Sequence, residues 1–168
     1  MRKFSVLVIV AILLAPLTAH ALSQWTAVGV SGSFASANIK IGTFTTPIGV
    51  GNGVGITYYA GSAAGTDPFP VAYNVTSYET LPPWTTLTIG YSGVVSGTSI
   101  VATLYSVAPA TGIRTAICSV SSLTTTTTTS CTFSSSSMDF STNAYYVEVI
   151  IDRSTTSQFP TINYVGIN

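Results

Sequence analysis

Apolar and polar side chains alternate along much of this chain, which is the pattern of β-strands that bury one face. The longest alternating segment is residues 144–153, where one face carries only apolar side chains: Tyr145, Val147, Val149 and Ile151. The length of this segment and its apolar face predict a strand in the middle of a sheet.

Further segments rich in Val, Ile, Thr and Tyr are separated by clusters of Gly, Pro, Asn or Ser, as in proteins built from many short strands. The stronger strand predictions are for residues 85–92, 99–107, 113–121 and 161–168, and the weaker ones are for residues 24–30, 39–44, 54–59 and 71–76. In the first two, the residues expected on one face are Leu87, Ile89, Tyr91, Ile100, Ala102 and Leu104. Pro109 and Gly112 predict a tight hairpin between the strands at 99–107 and 113–121.

Roughly seven to nine strands in one chain of this length predict an all-β fold, a single-domain antiparallel β-sandwich of two sheets. We favour a jelly-roll order over an immunoglobulin-like order. The strands are often long and are joined by both tight hairpins and longer loops, and the chain lacks the buried Trp between two distant cysteines that is typical of antibody-type domains.

The first 21 residues have the features of a secretory signal peptide. Arg2 and Lys3 precede a continuously apolar run at 6–14, and Ala19-His20-Ala21 is a small-x-small cleavage pattern. The run is shorter than the roughly 20 residues that a membrane-spanning helix needs. We therefore expect cleavage near Ala21, no membrane span, and a secreted, extracellular or periplasmic domain at residues 22–168.

Two cysteines, Cys118 and Cys131, follow the predicted cleavage site. An even cysteine count in an exported chain predicts a disulfide, worth about 3 kcal/mol at this spacing. Because the two residues are close in sequence, we expect the bond to join neighbouring strands or to pin the Ser/Thr loop between them, rather than to link opposite sheets across a core.

Residues 121–130 form a tract of Ser and Thr, with six consecutive threonines starting at Thr124. The simplest interpretation is a solvated connecting loop, and the alternative is an O-glycan acceptor or an adhesive surface. Asn74-Val75-Thr76 also matches the N-glycosylation pattern, a triplet that often arises by chance.

Charged side chains are scarce after the predicted signal peptide, where three basic and five acidic residues remain: Lys40, Asp67, Glu79, Arg114, Asp139, Glu148, Asp152 and Arg153. Nucleic acid is excluded as an expected partner because phosphate binding needs clustered Lys and Arg. The only histidine is His20, so catalysis by a Ser-His or Cys-His pair and a His-ligated zinc are excluded in the mature chain.

A glycosidase needs only two carboxyl groups, and it therefore stays open as a remote alternative. Glu148 and Asp152 lie on one strand face, but four residues of strand separate their Cα atoms by roughly 13 Å. We expect no enzymatic activity, no cofactor and no metal site. A structural calcium ion held by Asp67, Asp139 and Asp152 is an alternative, but no acidic cluster supports it.

The remaining expectation is recognition through neutral groups. Carbohydrates are bound by aromatic rings flanked by hydrogen-bonding side chains, and the candidate binding residues are Trp84, Tyr58, Tyr59, Tyr73 and Tyr78. Any one of these rings could instead be packed in the core. Adjacent tyrosines such as Tyr145 and Tyr146 point to opposite faces of a strand, so one of them is expected to face outward.

A self-assembling or adhesive extracellular subunit, either an oligomer or a filament, is the competing hypothesis. Low net charge weakens repulsion between copies, and residues 22–37 could be a strand donated to a neighbouring copy. More often such a segment is the first strand of its own sheet.

Overall fold

The computed structural model describes residues 24–28, 33–34, 55–57 and 66–168. The predicted signal peptide, the predicted strand at 39–44, and both Tyr58 and Tyr59 lie outside these residues. No helix among the described residues is long and apolar enough to cross a membrane.

The described residues form nine strands and one 3-10 turn at Ser135–Ser137. The strands are β1 (Trp25–Val28), β2 (Ser33–Phe34), β3 (Phe69–Val75), β4 (Thr86–Ser92), β5 (Thr98–Val107), β6 (Arg114–Ser121), β7 (Thr128–Thr132), β8 (Ala144–Arg153) and β9 (Thr161–Ile167). Of the weaker predictions, 24–30 and 71–76 are confirmed as β1 and β3. Of the segment 54–59, the structure describes residues 55–57, and these include an isolated bridge between Ile56 and Ile162.

The strands form two antiparallel sheets, one with the order β1-β9-β4-β7 and one with the order β2-β3-β8-β5-β6. Four of the pairings are nested along the chain: β5 with β6, β4 with β7, β3 with β8, and β1 with β9. Successive pairs belong to alternate sheets, which is the strand order of a jelly roll. The predicted all-β, two-sheet sandwich with a jelly-roll order is therefore confirmed.

The core lies between the two sheets and is built mainly by alternation along the strands, which is interrupted in β4 and β9 where their register shifts at Gly90 and Tyr91. β8 is the middle strand of the five-stranded sheet, and Tyr145, Val147, Val149 and Ile151 are all buried, as the pattern predicts. The inward residues predicted for β4 and β5 are buried too. Each alternate residue consequently points outward, and the outer faces of the sheets are the surfaces available to a ligand.

The Cys118–Cys131 disulfide is present, but it connects the two sheets rather than neighbouring strands of one sheet. Cys118 lies on β6, an edge of the five-stranded sheet, and Cys131 lies on β7, an edge of the four-stranded sheet. The bond links strands of opposite sheets at their edges and not across the core, and it closes the segment that contains the Ser/Thr tract, as the loop-pinning alternative predicts. Two edge strands meet at the open side of a sandwich, so a short connection can reach between them without crossing the core.

The Ser/Thr tract is only partly a loop. Residues 122–127 connect β6 to β7, whereas Thr128 and Thr129 are paired with β4. The Tyr91 hydroxyl accepts a hydrogen bond from the Leu123 amide at 2.8 Å and lies 2.8 Å from the Thr126 hydroxyl. The buried Tyr91 ring therefore fixes this loop to the body of the sandwich.

Candidate functional site

A pair of tyrosines lies on the outer face of the five-stranded sheet, on two of its inner strands and close to the end of the sheet where β5 ends and β8 begins. Tyr105 on β5 and Tyr146 on β8 are opposite each other in register. Their rings stack with centroids 5.2 Å apart and planes inclined by 20°. Both side chains are half-buried, so part of each ring faces solvent.

Arg114, the first residue of β6, completes the stack. Its guanidinium carbon lies 4.8 Å from the centroid of the Tyr105 ring, and Nη1 donates a hydrogen bond of 3.1 Å to the Tyr146 hydroxyl. The same nitrogen lies 3.5 Å from Oε2 of Glu148. The hydrogen bond with Tyr146, and then the nearby carboxylate, raise the pKa of Arg114 above its usual range. These contacts hold the two rings in one orientation. They add little to the stability of the fold, because an exposed ion pair is weak.

Neighbouring strands surround the two rings with small or polar side chains. Asn74 on β3 is exposed and is in register with Tyr146 on the side away from Tyr105. Ala116 on β6 is in register with Tyr105, and Ala72 on β3 with Glu148. We call Tyr105, Tyr146, Arg114, Glu148 and Asn74 the tyrosine cluster. It combines aromatic surface with an amide, a carboxylate, a guanidinium and a phenol hydroxyl.

Two of the aromatic residues predicted to bind a ligand are core residues instead. Trp84 is 2% exposed and packs edge-on against Phe140, with ring centroids 6.1 Å apart. Tyr73 is 2% exposed because it occupies an inward position of β3, and burial raises its pKa well above the usual range of a phenol. Neither ring offers a surface to a ligand, so the prediction is wrong for these two residues.

Tyr78 is the predicted binding residue that the structure leaves fully exposed. It lies in the loop between β3 and β4, outside the sheet face that carries the tyrosine cluster. Tyr58 and Tyr59 lie outside the described residues, and the three described members of the predicted set do not share one exposed surface, because Trp84 and Tyr73 are buried and Tyr78 is exposed in a loop.

The carboxylates within the described ranges are also dispersed. No group of three His, Cys, Asp or Glu side chains is placed there to hold a metal ion. Asp67 and Asp152 lie at one end of the sandwich, and Asp139 lies in the loop before β8 at the other end. Asp139 accepts a hydrogen bond of 2.9 Å from the Ser141 amide, and hydrogen bonds from Ser141 lower its pKa. Such a carboxylate stabilises its own turn.

Sequence reasoning did not single out Tyr105 or Arg114. Strand alternation places Tyr105 opposite to Ile100, Ala102 and Leu104, which predicts an outward ring. One residue of the Tyr145–Tyr146 pair was expected to face outward, and that residue is Tyr146. The pattern does not contain the register of β5 against β8. This register places Tyr105 opposite Tyr146, so that the two rings stack.

Comparison with known proteins adds no relative to this description. No protein-family model matches the chain, and no curated protein or solved structure is significantly similar to it. The arguments about function therefore depend on the fold and on the geometry of the tyrosine cluster.

Proposed function

We propose that this chain is an exported, non-enzymatic binding module that recognises carbohydrate, either free or as part of a cell-surface polymer, through the tyrosine cluster. The observation that carries the proposal is the stacked Tyr105–Tyr146 pair on the outer face of the five-stranded sheet. Five of the described aromatic rings are buried, whereas the rings of this pair are half-buried and face outward from the sheet.

The chemistry of the cluster suits a sugar. The C–H groups on one side of a pyranose ring pack on an aromatic face, while its hydroxyl groups need both donors and acceptors. Asn74 supplies an amide donor and acceptor, Glu148 supplies acceptors, and Arg114 supplies donors. The contacts of Arg114 hold the rings in place before a ligand arrives, which lowers the entropic cost of binding.

The absence of catalysis in the proposal follows from what a glycosidase requires. One of its two carboxyl groups must have a raised pKa. The pKa of Asp139 is lowered instead, and the described carboxylates are dispersed over the sandwich rather than paired. Export is supported by the disulfide, which is compatible with an extracellular location.

Affinity electrophoresis through gels containing soluble polysaccharides tests the proposal. We expect at least one polysaccharide to retard the mature protein. We expect Tyr146→Ala to remove the retardation, because it deletes one ring and the hydroxyl that Arg114 contacts. Tyr78→Ala is the matched control, since it removes an exposed tyrosine away from the sheet face.

Two results would contradict the proposal. One is the failure of neutral, acidic and amino polysaccharides alike to retard the wild-type protein. The other is equal retardation of wild type and Tyr146→Ala, since this would place any binding site elsewhere.

A further inference from the structure

The triplet Asn74-Val75-Thr76 matches the N-glycosylation pattern and begins inside the tyrosine cluster. Of the six asparagines in the chain, Asn74 is the one that this pattern includes. Asn74 and Thr76 are exposed, whereas Val75 between them is buried. Residues two apart in an extended segment lie on the same face, so the amide of Asn74 and the hydroxyl of Thr76 face outward together.

The Asn74 side chain has room to carry a substituent. It lies on the outer face of the five-stranded sheet and makes no hydrogen bond to the other residues that the structure describes. Its neighbour on the same face of β3 is Ala72, whose methyl group is too small to cover the rings beside it. A glycan on Asn74 therefore displaces no side-chain hydrogen bond of the described fold.

The Tyr146 ring turns one of its two faces toward Asn74. Tyr146 lies between Tyr105 and Asn74, because β8 runs between β5 and β3. The Tyr105 ring stacks on one face, with the planes inclined by 20°. The other face is directed toward β3, where Asn74 is directly opposite. Opposite residues in antiparallel strands have Cβ atoms roughly 4.5–5.5 Å apart, so a group attached to the Asn74 amide reaches this face.

A sugar linked to Asn74 suits this position. Its C–H groups pack on an aromatic face, and the covalent link keeps the sugar beside the ring, so the contact is intramolecular. The Tyr146 ring is already held by Tyr105 and by the hydrogen bond from Arg114 to its hydroxyl. Little ring freedom is lost when the sugar packs against it.

We infer that Asn74 carries an N-linked glycan whose first sugar packs on the face of Tyr146 that Tyr105 leaves uncovered. The donor is a polyprenyl-diphosphate-linked oligosaccharide. In the transfer, the Asn74 side-chain nitrogen bonds to C1 of the sugar and loses one proton, and the bond from C1 to the diphosphate oxygen breaks, with its electron pair leaving on the diphosphate.

This inference rests on the proposed export of the chain and on the proposed suitability of the tyrosine cluster for carbohydrate. It names the sugar that reaches the cluster first, because the covalent link holds that sugar next to Tyr146 at every concentration of external ligand. An external polysaccharide then competes with the glycan for the same ring.

Mass spectrometry of the protein purified from its own source tests the modification. We expect the peptide that contains Asn74 to carry the mass of a glycan, and enzymatic release of that glycan to leave aspartate at position 74. A native protein in which Asn74 is unmodified would overturn the inference, whether or not the protein binds a polysaccharide.

A matched pair of variants, secreted from a host that glycosylates exported chains, tests the packing. Thr76→Ala removes the acceptor pattern without changing the tyrosine cluster, and Thr76→Ser keeps the pattern. We expect glycosylated Thr76→Ser to have a Tm about 2 °C above that of Thr76→Ala, and the difference to disappear when both also carry Tyr146→Ala. The cycle cancels the intrinsic effect of the Thr76 substitutions. A Tm difference that is the same with and without the Tyr146 ring would overturn the contact.

Affinity electrophoresis separates this inference from the proposed function. We expect unglycosylated Thr76→Ala to bind the retarding polysaccharide about tenfold more tightly than glycosylated Thr76→Ser, because its Tyr146 face is uncovered. Retardation of Thr76→Ala, with Asn74 unmodified in the native protein, would remove this inference and leave the proposed function standing. A glycan that packs on Tyr146, with no retardation of Thr76→Ala by any polysaccharide, would do the reverse.

Discussion

Arg153 is a buried charged residue that orders a loop, in a chain with few charged side chains. It is the charged side chain that the described residues bury almost completely, with 1% of its surface exposed. Its Nη1 donates to the carbonyl oxygens of Thr156 and Gln158, at 3.2 and 3.1 Å. A buried guanidinium is stable only when its donors are occupied, and here they order the loop that leads from β8 to β9.

We predict that Arg153→Met destabilises the fold by about 3 kcal/mol, because the carbonyl groups in the loop lose charged donors. Urea denaturation measures the change. Arg114→Met is the matched control: its guanidinium is exposed, and we expect little change in the free energy of unfolding. Equal effects of the two substitutions would show that the loop does not depend on Arg153.

The position of Arg153 is predictable from sequence, whereas that of Trp84 is not. Arg153 is the next inward position in the alternation that buries Tyr145, Val147, Val149 and Ile151. Trp84 lies in a non-strand segment after two prolines, where no periodicity tells the inside from the outside. Its ring joins the core and contacts Phe140 edge-on, a residue distant in sequence.

Among the strands, β8 and β7 mark the two limits of prediction from sequence. β8 begins and ends where its alternation does, at Ala144 and Arg153. β7 was missed because Thr128–Thr132 contains only Thr, Ser and Cys, so its two faces have the same polarity. Its strand conformation comes from pairing with β4, which a local pattern does not contain.

The same edge strand is where the disulfide should matter most. We predict that Cys118→Ala with Cys131→Ala lowers the free energy of unfolding by about 3 kcal/mol, because the unfolded chain gains freedom in the segment between them. The local effect should be larger at β7 than elsewhere, since β7 is a short edge strand paired in its sheet with β4 alone.

Hydrogen exchange of backbone amides separates the two effects. After the double substitution, exchange of β7 amides should accelerate more than that of β8 amides, which are paired on both sides. Uniform acceleration over both strands would mean that the bond stabilises the fold only globally.

At the scale of the whole molecule, the separation between core and surface is unusually simple. Apolar residues fill the space between the sheets, hydroxyl-bearing residues cover much of the edge at β7, and the exposed apolar residues gather at the ends. The sequence predicts the sandwich and the inward and outward faces of its strands. It does not predict the tyrosine cluster or the grouping of exposed apolar residues at the ends of the sandwich, because both depend on which distant segments become neighbours.

The nested strand pairs also have a consequence for the order of folding. The innermost pair, β5 with β6, is closed by the short turn at Ala108–Gly112, whereas the outermost pair joins Trp25 to Ile167. The entropy lost on closing a loop increases with its length, so the least costly route forms the inner hairpin first and adds each next pair onto the one before.

In kinetic experiments, Leu104→Ala on β5 should therefore give a higher φ-value than Val165→Ala on β9. Both side chains are fully buried, and the φ-value corrects for the larger truncation of leucine because it is a ratio of free-energy changes. The reverse order would mean that folding starts where the first and last strands meet. If the expected order holds, folding begins at the turn Ala108–Gly112, and the strand pairs form in succession from the innermost to the outermost.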